Sequence, residues 1–114
     1  MTSGLTTIIY PVKDLDQAKV VYGALLGLEP VMDQAYYVQY NTDREEVGLD
    51  PNGHLKGMTG PVGYWHVDDI EATVQKLLAA GASEQQAVTD VGGRLIATLL
   101  DADGNPIGLI QNSS

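Results

Sequence analysis

The sequence contains no cysteine, so disulfide bonds, a thiol nucleophile and thiolate metal ligands are excluded. Basic residues are scarce: 6 lysines and arginines stand against 15 acidic residues, which gives a net charge of −9. Binding to a phosphate backbone needs a clustered basic face, so nucleic acid is not an expected partner. An acidic surface instead favours cationic small molecules, although solubility alone also explains a charge of this size.

Long apolar runs are also missing. No stretch approaches the roughly 18 residues that span a bilayer, and the N-terminus has no basic region followed by an apolar segment. We therefore expect no membrane partner and a cytoplasmic location, which the lack of cysteine also suits. The sequence has no Gly-x-Ser-x-Gly motif, phosphate loop or dinucleotide fingerprint, so covalent catalysis finds no support and no such cofactor is expected.

The length of 114 residues fits one domain that buries roughly two thirds of its unfolded surface. A hydrophobic content of 44% and a mean hydropathy of −0.06 are typical of a globular protein. Either half alone, at about 55 residues, would be marginally stable. We therefore expect residues 1–114 to form a single domain whose halves depend on each other for stability.

What the sequence does contain is an internal repeat. Residues 64–70 (Tyr-Trp-His-Val-Asp-Asp-Ile) repeat the pattern of residues 10–15 (Tyr-Pro-Val-Lys-Asp-Leu), with Asp14 aligned to Asp69 at an offset of 69 − 14 = 55. Residues 47–49 (Val-Gly-Leu) likewise resemble residues 107–109 (Ile-Gly-Leu) at an offset of 107 − 47 = 60. Each half is predicted to form a strand, a helix and then a short antiparallel run of strands. Module 1 covers about residues 5–50, a linker rich in glycine and proline covers about 51–61, and module 2 covers about 62–111.

Helices are predicted at residues 14–26 and 69–80, where apolar residues recur on one face. Asp14 and Asp69 suit the N-caps, and Gly27 and Gly81 suit the left-handed residue that ends a helix. Strands are predicted at residues 5–12, 29–32, 35–40, 46–49, 62–67, 84–91, 94–100 and 106–111, with turns at 33–34, 41–44, 92–93 and 101–105. Residues 112–114 are expected to fray.

With these motifs in the right order, the chain resembles the vicinal oxygen chelate superfamily, which comprises glyoxalases, bleomycin resistance proteins and extradiol dioxygenases. The resemblance covers residues 5–111 and is strongest at Val-Lys-Asp-Leu (12–15), Val-Asp-Asp-Ile (67–70) and Asp-Ala-Asp-Gly-Asn-Pro-Ile-Gly-Leu (101–109). It implies an α+β fold of two tandem βαβββ modules that form a curved mixed sheet around a cavity for substrate, drug or metal. It also implies a homodimer.

The resemblance implies four metal-ligand positions, on the first and last strand of each module. In this sequence they fall on Thr7, Gly48, Val62 and Gly108, and only the threonine hydroxyl could contribute, feebly, to a metal site. A register one residue different would offer Glu46 or Tyr64, but we expect that shift to turn the side chain to the other face of its strand. No divalent metal cofactor is therefore expected.

Strand alternation combined with the resemblance turns Tyr64 and His66 toward the cavity. His66 is the candidate catalytic residue because imidazole exchanges protons near neutral pH, although a structural hydrogen bond to a carboxylate or carbonyl explains it equally simply. Trp65 would face the second helix and pack in the core, unless it stacks on a ligand. His54 lies in the linker and is either a ligand contact or an exposed loop residue.

A strand with three tyrosines, Tyr36, Tyr37 and Tyr40, is the other candidate ligand surface. Alternation predicts Tyr36 and Tyr40 on one face and Tyr37 on the other, without saying which face lines the cavity. Tyrosines suit a flat or amphipathic ligand, but cross-strand packing is an equally good explanation. Asp50 follows the last strand of module 1 and is predicted to lie on the cavity rim.

We expect a metal-free protein that binds a small drug or metabolite, cationic or aromatic. The alternative is a lyase, isomerase or dioxygenase of the same superfamily that uses His66 as acid or base, or a non-standard metal site. A third possibility is an interaction module whose cavity is filled by its own side chains. Whether the protein is an enzyme, what its ligand is, and whether modules exchange between chains stay open.

Overall fold

The computed structural model describes residues 2–112, with only the backbone of Ser3. The described chain contains eight strands, two α-helices and one short 3-10 helix: β1 (Thr2–Pro11), α1 (Leu15–Leu26), β2 (Met32–Gln34), β3 (Tyr37–Asn41), β4 (Glu46–Asp50), the 3-10 helix (His54–Lys56), β5 (Val62–Val67), α2 (Ile70–Ala79), β6 (Ser83–Val91), β7 (Arg94–Leu100) and β8 (Pro106–Asn112). Of the residues expected to fray, Asn112 ends β8, and Ser113 and Ser114 lie outside the described residues.

The chain divides into two compact units, which we call the N-terminal unit (Thr6–Val62) and the C-terminal unit (residues 2–5 and 63–112). In the N-terminal unit the strand order is β2-β3-β4-β1, with β1 and β4 parallel and the other pairs antiparallel. In the C-terminal unit the order is β5-β8-β7-β6, with β5 and β8 parallel and the other pairs antiparallel. Each unit is thus a βαβββ module, and the predicted α+β fold class is confirmed.

Both helices begin where the repeat predicts; α1 ends at Leu26 as predicted, and α2 ends at Ala79, one residue earlier than predicted. The Asp14 carboxylate accepts a hydrogen bond from the Gln17 amide, and the Asp69 carboxylate accepts one from the Ala72 amide, both at 3.1 Å. These contacts satisfy amides that the first turn of a helix leaves unpaired. Gly27 follows α1 with φ 66°, the left-handed conformation in which only glycine escapes a steric penalty.

Each helix covers one face of its own unit's sheet, and a small apolar core lies between helix and sheet. Under α1 the buried residues are Val38, Tyr40 and Leu49. Under α2 they are Val67, Ile70, Val74, Ala97, Leu99 and Leu109. Fully burying an apolar side chain of this size contributes about 1.5–3 kcal/mol, so these clusters hold the helices in place. The opposite face of each sheet, which we call the helix-free face, carries the functional candidates.

The second strand differs from its prediction. It spans Met32–Gln34 rather than residues 29–32, and the turn falls on Ala35 and Tyr36 rather than on residues 33–34. Met32 pairs with Gln39, and the Asp33 carboxylate accepts hydrogen bonds from the Lys19 ammonium of α1 at 2.9 Å. Asp33 and Gln34 therefore belong to a strand, because they pair with Val38 and Tyr37 of β3.

Candidate functional site

In the N-terminal unit the helix-free face is lined by alternate residues of neighbouring strands. Thr7 pairs with Glu46, and Ile9 pairs with Gly48. From the other side, Gln39 pairs with Gly48 and Asn41 pairs with Glu46. Residues that pair directly across a sheet point to the same face, so the polar side chains of three adjacent strands converge here.

We call Thr7, Gln39, Asn41 and Glu46 the Glu46 cluster. The Thr7 hydroxyl, on a residue only 2% exposed, donates a hydrogen bond to Glu46 Oε1 at 3.3 Å. Gln39 Nε2 donates to Asn41 Oδ1 at 2.8 Å. The cluster thus presents one carboxylate, held by a buried hydroxyl, beside two side-chain amides. This combination suits a hydrogen-bond donor or a cation.

Glu46 and Gly48 share a face because they are two residues apart in one strand. The expectation that Glu46 or Tyr64 would turn to the other face is therefore wrong, since Tyr64 is likewise two residues from Val62 in β5. Alternating polar residues on β3 could have revealed the cluster from the sequence, since Tyr37, Gln39 and Asn41 have the period of a strand.

Tyrosine rings cover both glycine positions where the resemblance implies metal ligands. A Cβ atom on Gly48 would overlap the Tyr37 hydroxyl and lie 2.6 Å from Tyr37 Cζ. A Cβ atom on Gly108 would lie 2.6 Å from Tyr64 Cδ2 and 2.7 Å from the Gly63 carbonyl oxygen. A ligand side chain fits at Gly48 only if the Tyr37 ring moves, and at Gly108 only if both the Tyr64 ring and the Gly63 backbone move.

The remaining two positions are no better suited to a metal. Val62 is apolar and 5% exposed, and the Thr7 hydroxyl donates to Glu46. Within residues 2–112, no group of three or more histidine, aspartate or glutamate side chains is placed to hold a metal ion. The residues at the four positions where the resemblance implies metal ligands therefore do not fit a metal centre.

The three tyrosines have three different environments. Tyr40 is 1% exposed under α1, its hydroxyl donates to the Lys19 carbonyl at 3.3 Å, and burial raises the pKa of its phenol. Tyr36 is 60% exposed in the β2–β3 turn, so it does not share a strand face with Tyr40 as predicted. Only Tyr37 lies on the helix-free face, over Gly48. Tyr40 is a core residue that offers a ligand almost no accessible surface.

Asp50 and His54 belong to the loop after β4. Asp50 is 6% exposed; one carboxylate oxygen accepts from the Asn52 amide and the other from the Lys56 ammonium, both at 2.9 Å. These two hydrogen bonds anchor the loop and satisfy the buried Asp50 carboxylate. Its burial is therefore explained without a ligand. His54 begins the one-turn 3-10 helix and is exposed.

In the C-terminal unit, the helix-free face contains Tyr64 and His66 as predicted. Tyr64 pairs with Gly108 and His66 pairs with Ile110, so all four lie on the same face. Tyr64 is 4% exposed, whereas His66 is half-buried and its backbone carbonyl accepts a hydrogen bond from the Thr2 hydroxyl at 2.7 Å. His66 is thus the more accessible of the two.

Trp65 pairs with Leu109 on the face that α2 covers, as alternation predicts. Its side chain nevertheless remains 39% exposed, so the expectation of a buried core tryptophan is wrong. The smaller residues Val67, Ile70 and Val74 fill the space beneath the helix. Trp65 is therefore not part of that core.

The N-terminal unit also has two open grooves. One, of about 300 Å³, is lined by Thr6, by Asn41 at the end of β3, by turn residues 42–45, which include Arg44, and by Glu46, so it opens beside the Glu46 cluster. The other, of about 550 Å³, lies along α1 and is lined by the Lys19–Asp33 ion pair, Val20 and Leu28, among others. Only the first groove adjoins the Glu46 cluster.

No helix within residues 2–112 is both long enough and apolar enough to cross a membrane. The family model for the glyoxalase-like domain matches residues 7–110. No curated protein sequence matches the chain.

Solved structures resemble the whole fold at low sequence identity. A glyoxalase/bleomycin resistance protein/dioxygenase superfamily member from Vibrio splendidus has a TM-score of 0.72 at 19% identity, covering 93% of this chain and 97% of its own. Methylmalonyl-CoA epimerase from Mycobacterium tuberculosis has a TM-score of 0.70 at 17% identity, covering 99% and 90%. A Legionella pneumophila structure described as an NAD-dependent benzaldehyde dehydrogenase has a TM-score of 0.76 at 14% identity, covering 93% and 97%. At these identities the likeness establishes the fold and leaves the chemistry to the site.

Proposed function

Because the chain belongs to the glyoxalase-like domain family, and because its metal positions carry the wrong residues, we propose that it is a metal-free protein that binds a small organic cation. The Glu46 cluster is the anchor for the positive group. The observation that carries this proposal is the Thr7 hydroxyl, 2% exposed and 3.3 Å from Glu46 Oε1, which holds a carboxylate on the helix-free face.

The groups around Glu46 favour a ligand with both a charge and an apolar part. The Gln39 and Asn41 amides offer both donors and acceptors next to the carboxylate. Tyr37 lies on the same face and offers an aromatic edge or face for the apolar part or the cation. The adjoining groove of about 300 Å³ is at the small end of ligand sites, which favours a metabolite-sized ligand.

The overall charge supports the same sign of ligand. A protein of net charge −9 attracts cations and repels anions at low ionic strength. Binding of an amine should therefore weaken as salt is added, whereas binding of a neutral analogue of the same shape should not change with salt.

The test is calorimetric titration with three probes of similar size: phenethylamine, neutral 2-phenylethanol and anionic 3-phenylpropanoate. We expect the amine to bind best, and Glu46→Gln to weaken its binding by about tenfold or more, since a charge-assisted hydrogen bond contributes about 1.5–3 kcal/mol. Glu71→Gln, an exposed position in the first turn of α2, removes the same charge elsewhere and should leave binding unchanged. Equal binding of amine and anion, or an unaffected Glu46→Gln variant, would contradict the proposal.

A second candidate function, acid–base catalysis in an isomerase or lyase, rests on His66. This imidazole is half-buried rather than fully enclosed, on the helix-free face of the C-terminal unit. One structural relative is an epimerase, which is a fold-level analogy only. Replacing His66 by glutamine separates the two functions, because a binding protein loses some affinity whereas an acid–base enzyme loses about 100-fold or more in rate.

A further inference from the structure

The groove of about 300 Å³ beside the Glu46 cluster contains a positive charge that a site for a simple cation does not need. Its charged lining residues are Asp43, Arg44, Glu45 and Glu46. The chain has only 6 basic residues and a net charge of −9, so an arginine among the residues that line a ligand groove is unexpected. The groove therefore offers a ligand both a carboxylate and a guanidinium.

The Arg44 side chain is exposed, and the described contacts of this residue are made by its backbone. Within residues 2–112, the ion pairs join Lys19 to Asp33 and Lys56 to Asp50, and Arg44 belongs to neither. The backbone amide of Arg44 donates to the Thr42 hydroxyl at 3.2 Å. The planar guanidinium, with its five N–H donors, is therefore accessible to a ligand.

Hydrogen bonds within the turn hold the backbone of Arg44 close to Glu46. The Thr42 hydroxyl accepts from the Glu45 amide at 2.9 Å as well as from the Arg44 amide, and the Thr42 amide donates to the Glu45 carbonyl at 2.9 Å. Glu46 begins β4, two residues after Arg44. Two residues of chain span at most roughly 7 Å, so one small molecule can contact both side chains.

The internal repeat supplies a control for what this turn requires. At the offset of 104 − 44 = 60, Arg44 and Glu46 align with Gly104 and Pro106 of the second module. The turn of the second module is also closed by hydrogen bonds, since Asp101 accepts from two backbone amides at 2.9 and 2.8 Å. The turn therefore forms without an arginine or a glutamate at these positions. The charged pair of the first module is not needed for the fold, which favours a role in binding.

We propose that the ligand of this groove is a zwitterion of the amino acid type, whose ammonium binds Glu46 and whose carboxylate binds Arg44; this rests on the cation site proposed above. A guanidinium matches a carboxylate with two parallel N–H···O bonds. Asn41 accepts from Gln39 through Oδ1, so its NH₂ group offers the carboxylate a further donor.

The charge of the whole protein favours a zwitterion over a simple anion as the partner of Arg44. A net charge of −9 repels a free carboxylate, whereas a zwitterion has no net charge to be repelled. Three acidic residues also line the groove beside the one arginine, so a ligand without an ammonium would face uncompensated repulsion. The carboxylate that Arg44 binds is thus one that is joined to an ammonium.

The experiment is calorimetric titration of the full chain with L-phenylalanine, L-phenylalaninamide and phenethylamine, at about pH 6, where all three amines are protonated. The amide keeps the ring and the ammonium of phenylalanine but lacks its negative charge. We expect phenylalanine to bind about fivefold more tightly than its amide, near the upper limit for an exposed ion pair. In Arg44→Gln the two should bind equally, and the affinity for phenethylamine should not fall. Glu46→Gln should weaken the binding of all three.

Two further variants serve as controls. Lys76→Gln, at an exposed position of α2, removes the same charge elsewhere and should keep the preference for phenylalanine. Arg44→Lys keeps the charge but lacks the planar fork, so it should keep only part of the preference. Far-UV circular dichroism establishes that each variant is folded.

The outcomes separate this inference from the cation site on which it rests. Equal binding of phenylalanine and its amide to the wild type, with phenethylamine still bound through Glu46, would overturn the zwitterion and leave the cation site standing. A preference for phenylalanine that persists in folded Arg44→Gln would also overturn it. Failure of all three compounds to bind the wild type would overturn both proposals.

Discussion

Replacing Gly108 by alanine tests whether tyrosine rings cover the two glycine positions, Gly48 and Gly108. An alanine there would place its Cβ atom 2.7 Å from the Gly63 carbonyl oxygen and 2.7 Å from Tyr64 Cγ. Both are rigid, since one is backbone and the other is the root of a ring that is 4% exposed. Overpacking of this kind costs about 1–3 kcal/mol, and we expect Gly108→Ala at the upper end of that range.

Gly48→Ala is the informative comparison, because there the obstruction is the far end of Tyr37 rather than backbone. The half-buried Tyr37 ring can swing aside, so we expect a cost of about 1 kcal/mol or less. Adding Gly48→Ala to a Tyr37→Ala background should cost less than in the wild type, since the overlapping hydroxyl is gone.

Gly60→Ala is the matched control, because a Cβ atom at position 60 meets nothing within 4 Å. Its stability should be unchanged or slightly raised, since alanine restricts the unfolded chain. The assay is thermal unfolding followed by circular dichroism, in which Gly108→Ala should lower Tm by about 10 °C at about 4 °C per kcal/mol. A Gly108→Ala protein as stable as Gly60→Ala would refute the reasoning.

Three further predictions follow from single side chains. His66→Gln should reduce amine affinity by less than about fivefold in calorimetry, whereas a loss of about 100-fold in a catalysed rate would assign His66 to acid–base chemistry. Asp69→Ala should destabilise the protein by about 1 kcal/mol in urea denaturation, because the Ala72 amide loses its acceptor; an unchanged midpoint would contradict the cap. Hydrogen bonds from Asn105 lower the pKa of Asp101, so its stabilisation is present above about pH 4 and lost as pH falls through the lower folded-state pKa. Asp101→Ala should therefore lose less stability than the wild type between about pH 5 and pH 2, measured by Tm at each pH; equal losses would contradict this.

The repeat and its caps could be predicted because they depend on local chemistry. The Asp14 and Asp69 caps each involve residues only three positions apart, and Gly27 adopts the conformation that ends α1. The two-module βαβββ architecture also followed from the family resemblance. These features use short-range patterns that the sequence displays directly.

The wrong predictions concern residues whose positions depend on contacts between segments that are distant in sequence. The Lys19–Asp33 ion pair joins α1 to β2, and the turn falls on Ala35 and Tyr36 rather than on residues 33–34. That shift places Tyr36 in a turn, and the core under α1 takes Tyr40. The sequence predicted Tyr36 and Tyr40 on one strand face and Tyr37 on the other, because the strand boundary and the pairing partners were unknown.

The candidate site was predicted only in part. Tyr64 and His66 share the helix-free face, as alternation requires, but the Thr7–Glu46 contact joins residues 39 positions apart. Trp65 remains exposed because smaller side chains fill the space under α2. In each case the outcome depends on side-chain volume and register rather than on residue type alone.

We expect the protein to function without a metal ion, and the metal content per chain tests this expectation most directly. Untagged protein would be analysed by elemental analysis as purified and again after loading with nickel, zinc, manganese and iron(II), followed by desalting. With Tyr37 over Gly48 and Tyr64 over Gly108, we expect well under about 0.1 equivalent of any transition metal, because three of the four ligand positions, Gly48, Val62 and Gly108, offer no side-chain donor atom. Retention of about one equivalent would contradict the claim and require ligands outside the four positions.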